Sequence, residues 1–111
     1  MLGYAYVSAY RPRAAYRFTV ENSIYVAADA HGRGVGRILL GALIARCTEQ
    51  GFRLMVAVIG DSGNAGSIRL HESLGFVRCG VLRSTGIKFG RWVDTVMMQR
   101  PLGAGDGTPP T

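Results

Sequence analysis

Several things that would send the reading elsewhere are scarce or missing in this sequence. Cysteine occurs twice, as Cys47 and Cys79, and histidine twice, as His31 and His71. The cysteines are isolated and lack CxxC spacing, so no zinc or other metal site is expected. Two separate thiols suit a reduced, cytoplasmic protein better than a disulfide framework. No apolar run approaches the roughly 18–20 residues of a membrane span. The opening Met1-Leu2-Gly3-Tyr4 has no basic stretch leading into an apolar one, so no signal peptide is expected. Lysine is nearly absent, Lys88 being the only one among thirteen basic residues. With seven acidic residues the net charge is +6, which suits a polyanionic partner: nucleic acid, an acidic membrane surface or a phosphate-rich cofactor. Charge alone does not choose among these.

What is present is a globular composition, 48% apolar and 18% charged, in a chain of 111 residues that makes at most one small domain. Residues 2–10 alternate small and aromatic side chains and predict a strand, which Arg11-Pro12-Arg13 ends. Residues 16–27 predict a second strand pairing with the first. The polar Glu21-Asn22-Ser23 in its middle points to a bulge, or to side chains facing a site. Val35, Ile38, Leu39, Ala42, Leu43 and Cys47 then recur at helical spacing, and Gly51 stands where a helix closes. Residues 53–59 read as a strand buried on both faces. Residues 65–74 read as a short helix stopped by Gly75, and residues 76–84 and 92–99 as two strands joined by the turn-rich TGIKFGR. The Gly/Pro-rich end, residues 103–111, is expected to be disordered. The order β-β-α-β-α-β-β describes an α/β sandwich with a mixed sheet over residues 1–102.

The chemistry concentrates first in His31-Gly32-Arg33-Gly34-Val35-Gly36, between a strand and a helix. Main-chain N–H groups and the helix dipole favour an anion there, and glycines let a phosphate approach the backbone. Arg33 and Arg37 add charge and paired donors. A Rossmann fingerprint would need glycine at Arg37 or, shifted by two, at Leu39. A Walker loop would need Lys-Ser/Thr where Arg37-Ile38 stand. A plain tight turn is the competing reading.

Val26–Gly36 resembles the pyrophosphate-binding motif, Arg/Gln-x-x-Gly-x-Gly/Ala, of the GCN5-related N-acetyltransferase superfamily. About thirty residues on, the run from Asn64 to Phe76 resembles that superfamily's Asn-x-x-Ala/Ser … Leu-Gly-Phe segment. YRFTVENSIYV, MVAVIGDSGNAGSIRLHESLGF and KFGRWVDTVMMQR are similar to the phosphinothricin N-acetyltransferase branch, so the likeness runs from about Gly3 to Leu102. His31 departs from the motif, standing where Arg or Gln is usual.

The resemblance implies acetyl-CoA as co-substrate, a small amino-acid-like amine of phosphinothricin or methionine sulfoximine type as acceptor, and a homodimer. It implies that Ile24, Tyr25 and Val26 meet the pantetheine arm and that residues 31–37 meet the pyrophosphate. Asn64, which can also cap the second helix, is expected to bond the pantetheine amides, as is Ser67. Acetyl transfer to an amine needs a base, donors for the developing negative charge and a proton for the leaving thiolate. Glu21, a carboxylate in an otherwise apolar strand, is the expected base, with pairing to Arg17 as the competing role. His71 stands where the superfamily often has the tyrosine that protonates the thiolate, and a packed helix histidine is its alternative. Arg11, Arg13 and Tyr16 are candidates for holding a substrate carboxylate or phosphinate, and Lys88, with Phe89 and Trp92, for closing the pocket.

Domains of this superfamily open with a further strand, two helices and a strand, roughly sixty residues that are expected to be absent here. Apolar sheet surface would then lie open. Two other classes compete with the enzyme. One is a truncated CoA-binding module without turnover. The other is a small basic nucleic-acid binder, which calls for clustered arginines interleaved with aromatics, whereas these are scattered.

Overall fold

A computed structural model describes residues 2–30, 32–60 and 65–109. Its elements follow the order β1 (Gly3–Ala9), β2 (Thr19–Val26), α1 (Val35–Glu49), β3 (Leu54–Ile59), α2 (Ala65–Ser73), β4 (Val77–Lys88) and β5 (Arg91–Pro101). This is the β-β-α-β-α-β-β succession expected. The strands form one mixed sheet in the order β1-β2-β3-β5-β4, parallel only between β2 and β3.

Both helices contribute to one core. Leu40, Ile44 and Cys47 of α1 and Ile68 of α2 meet Val20, Met55, Ala57, Ile59, Val96 and Met98 of the sheet, with Phe76 and Leu102. Each Val, Leu, Ile, Met or Phe side chain among them, taken fully out of water, contributes about 1.5–3 kcal/mol before entropy is counted. The buried face of α1 is shifted from the one its spacing suggested: Cys47 is buried and Leu43 packs on the core, but Ile38 is 71% exposed while Leu40 is fully buried. Apolar residues lie nearly all round this helix, so periodicity cannot choose a face. Both helices end as read. Gly51 (φ +89°) and Gly75 (φ +93°) turn the chain, and the N–H groups of Phe52 and Phe76 return to Cys47 O and His71 O at 3.1 and 3.0 Å.

The other face of the sheet carries no helix among the described residues. Tyr4, Tyr6 and Tyr25 stack there, with Tyr4 and Tyr25 rings 4.8 Å apart, and each is about half exposed. Val58 opens onto the same side and is also exposed, so β3 is not buried on both faces along its whole length.

Two further expectations are corrected. Most of TGIKFGR is strand, because Phe89 and Gly90 alone turn the chain, both at positive φ, in the manner of a two-residue hairpin. The end of the chain is not loose as far as it is described. Gly105 N–H bonds Leu102 O and Gly107 N–H bonds Ala104 O, and the Arg53 guanidinium donates to Gly105 O at 2.8 Å and Thr108 O at 3.1 Å. Arginine supplies there the partners that a Gly/Pro-rich stretch cannot supply itself.

Candidate functional site

β2 is held on its two sides in different ways. Against β1 its register is unbroken from Val20 opposite Ala9 to Val26 opposite Gly3. Against β3 it pairs only at Thr19, Val20 and Glu21, opposite Leu54, Met55 and Val56. Beyond that point both strands continue without pairing each other, so the sheet forks. The expected bulge at residues 21–23 is therefore not what opens the sheet. The opening comes from β2 and β3 diverging.

A cavity of about 230 Å³ fills the fork. Residues 21–25 of β2 and residues 57–60 at the end of β3 form its walls, and Ser67 and His71 of α2 close it. The strand alternation puts Glu21, Ser23 and Tyr25 on the tyrosine face, and Asn22 and Ile24 on the helix face. Glu21 is half-buried and lines the cavity at the place where pairing stops.

Asn22 and His71 are the buried polar side chains of the described core, 8% and 3% exposed. His71 Nδ1 lies 2.8 Å from Ser67 O, and His71 Nε2 lies 3.3 Å from Asn22 Nδ2. A carbonyl oxygen only accepts, so Nδ1 carries the proton and Nε2 offers its lone pair to the Asn22 amide. Burial pulls the imidazole below its usual value of 6.5, and the bond to Ser67 O partly opposes this. Phe76 meets the ring edge-on at 4.9 Å. A neutral ring in this arrangement holds no proton on Nε2 to donate.

At the far end of β2, Val26 lies against the start of α1. The three loop glycines divide their work. Gly32 (φ +81°) and Gly34 (φ +77°) hold left-handed backbone, and a Cβ on either would meet nothing within 4 Å. Gly36 serves packing instead, since its Cβ would come within 3.1 Å of Leu70 Cδ2 and 3.6 Å of Val26 Cγ2. The first intrahelical bond runs from Ile38 N–H to Gly34 O. Among the described residues the N–H groups of Gly36 and Arg37 bond no carbonyl one turn back, which is the usual anion site of a helix start. Arg33 is exposed there, and Arg37 Nη1 is engaged by Ser73 Oγ at 3.0 Å. His31 and Asn64 lie outside the described residues.

The structure brings Glu21, Ile24, Tyr25, Ser67 and His71 to one cavity and Val26 and residues 32–37 to its neighbouring end. Arg11, Arg13 and Tyr16 line a second hollow of about 350 Å³ in the β1–β2 connection, with Tyr10 and Pro12. Tyr10 and Tyr16 meet edge-on at 5.9 Å, and the Arg11 guanidinium sits 4.2 Å above the Tyr10 ring. The Arg17 guanidinium donates to Ala14 O at 2.7 Å. Lys88 lies away from both, at the tip of the β4–β5 hairpin, 5.9 Å from the Phe89 ring centre. Asn22 and Ser23 also line the fork, in keeping with the alternative that the polar run Glu21-Asn22-Ser23 faces a site, although the sequence assigned neither a role. A larger hollow, about 390 Å³ beside Ile44 and Thr48, holds none of the candidates, and its Arg100 is taken by Leu74 O and Pro101 O. Among the described residues no helix is long and apolar enough to cross a membrane, and no cluster of three metal-binding side chains occurs.

Known proteins resemble this chain in sequence and in fold. Residues 1–76 match the profile of the acetyltransferase (GNAT) family. The chain is 62% identical over 110 residues to a phosphinothricin N-acetyltransferase of Alcaligenes faecalis, covering 99% of itself and 56% of that protein. It is 50% identical over 102 residues to an L-methionine sulfoximine/L-methionine sulfone acetyltransferase of Pseudomonas paraeruginosa, covering 92% and 59%. A crystal structure of a phosphinothricin acetyltransferase from Sinorhizobium meliloti in complex with AcCoA superposes with a TM-score of 0.95 at 55% identity, covering 99% of this chain and 59% of that one. The chain thus spans somewhat more than half the length of these relatives.

Proposed function

Because this chain belongs to the acetyltransferase (GNAT) family, we propose that it transfers an acetyl group from acetyl-CoA to the amine of a small amino-acid-like substrate of phosphinothricin or methionine sulfoximine type. The observation that carries this is the fork. From Glu21 to Val26 one strand, roughly 17 Å long at strand rise, joins a half-buried carboxylate to a glycine-opened helix start. That is the layout an extended cofactor needs if its phosphates are bound at one end and its thioester is presented at the other.

Acetyl-CoA supplies the activated acetyl group. The N–H groups of Gly36 and Arg37, with Arg33, would hold its pyrophosphate, and the divergence of β2 leaves Ile24 and Tyr25 without a β3 partner, so added main chain could pair there as a further strand does. Glu21 would take the ammonium proton of the acceptor, making the amine nucleophilic. Arg11, Arg13 and Tyr16, in the connection that leads into the Glu21 end of β2, would hold the acceptor's acidic group. The relatives named above are all acetyltransferases, which gives no support to a module without turnover. A cytoplasmic setting and a homodimer complete the reading.

The test combines calorimetric titration with acetyl-CoA and a thiol-release assay using phosphinothricin and methionine sulfoximine. Thiol release that requires both acetyl-CoA and acceptor is expected. Tight acetyl-CoA binding without release would overturn the enzymatic part.

A further inference from the structure

We propose that Asn22 and His71 form a positioning pair that props β2 away from β3, and that His71 orients the fork without exchanging protons with a substrate. Glu21 opposite Val56 is the last pair of the parallel ladder, and Asn22 is the next residue. At that step the amide of Asn22 reaches into the helix layer and donates to His71 Nε2 at 3.3 Å. His71 in turn is braced on its own helix, donating from Nδ1 to Ser67 O at 2.8 Å. A chain of two hydrogen bonds therefore ties β2 to α2 where main-chain pairing to β3 is given up.

Among the described residues the groups in contact with the imidazole are neutral: Ser67 O from α2, Asn22 from β2 and Phe76 just before β4. Of the nearby carboxylates, Glu21 projects to the opposite face of β2, and Glu72 is turned to Arg78 at 3.9 Å. Among the described residues neither carboxylate is hydrogen-bonded to the ring. The ring is 3% exposed, and both nitrogens are committed. Its Nε2 can only accept while the ring is neutral, so Asn22 is held in one amide orientation with Nδ2 toward the ring. Glu21, the neighbour of Asn22, is set in place by the same anchor. Glu21 is thus the residue proposed to meet the acceptor, and Asn22 and His71 act through it.

Two measurements test this on the whole chain. The first needs no turnover: imidazole nitrogen resonances of uniformly ¹⁵N-labelled protein, followed through the neutral and mildly acidic range. A protonated Nδ1, a bare Nε2 and no titration near the usual histidine value are expected. A proton on Nε2, or titration in the neutral range, would overturn the proposal. The second compares His71→Gln, which can accept from Asn22 but cannot shuttle protons, with His71→Phe, which can do neither.

The kinetic arm rests on the acetyltransferase reading. If His71 positions, His71→Gln keeps kcat within about tenfold of the parent, roughly the value of one neutral hydrogen bond. Its pH profile is unchanged, and His71→Phe falls well below it. If His71 were an acid or base, both variants would fall together by about 10²- to 10⁴-fold, and the proposal would be lost. Absence of turnover in the parent chain would count against the enzymatic reading alone, because the nitrogen resonances decide the tautomer without it.

Discussion

The two edges of β3 make an instructive contrast. Toward β5 it is zipped along its whole length, from Leu54 opposite Pro101 to Ile59 opposite Val96. Toward β2 it pairs at three positions and then lets go. The zipped edge lies over the packed centre, where Met55 and Met98 are fully buried. The open edge is lined by Glu21, Asn22, Ser23, Ser67 and His71. Main-chain pairing is surrendered where polar side chains can bridge the gap, and this leaves a slot whose walls retain hydrogen-bonding capacity.

The contrast can be broken at either edge. Glu21→Gln should have the largest effect: turnover falls by about 10²- to 10⁴-fold while acetyl-CoA affinity, measured by calorimetry, stays close to the parent. Met98→Ala acts on the zipped edge and should cost about 2–5 kcal/mol of stability in urea unfolding. Under conditions where that variant is folded, its acetyl-CoA affinity should change little. Gly34→Ala forces an L-residue to φ +77° and should cost about 1–2 kcal/mol in the same assay. It should also weaken acetyl-CoA binding, which would separate its backbone role from the packing role of Gly36.

The smallest effect expected is a pH dependence. His71 has its folded pKa lowered by burial, so the unfolded chain binds the proton more readily. Above the usual value of 6.5 both states are neutral and the group contributes no pH dependence. As pH falls through 6.5 stability should decrease, levelling off below the folded value. Comparing unfolding midpoints of the parent and His71→Gln over this window isolates the contribution, which should vanish in the variant.

Much of the site was legible before the fold was known. Glycine between a strand and a helix can be read locally, because the left-handed backbone at Gly32 and Gly34 is a property of those residues alone. The helix stops at Gly51 and Gly75 were legible for the same reason. The buried face of α1 was not, since neither Ile38 nor Leu40 carries a mark of its environment until the sheet is in place. Lys88 was read as closing the pocket, but the long β4–β5 hairpin carries it away from the fork. A two-residue turn at Phe89-Gly90 was hidden in a stretch that looked like loop throughout.

By itself the sequence determined the order of elements, the glycine-opened helix start and the presence of a carboxylate inside an apolar strand. These are local matters, set by backbone freedom and by which side chains can leave water. Only the tertiary structure decided that β2 and β3 part after Glu21, that Gly36 packs on Leu70, and that His71 faces Asn22 across 49 residues of chain. Such contacts join residues distant in sequence, and their geometry follows from how the helices settle on the sheet. No local pattern encodes it.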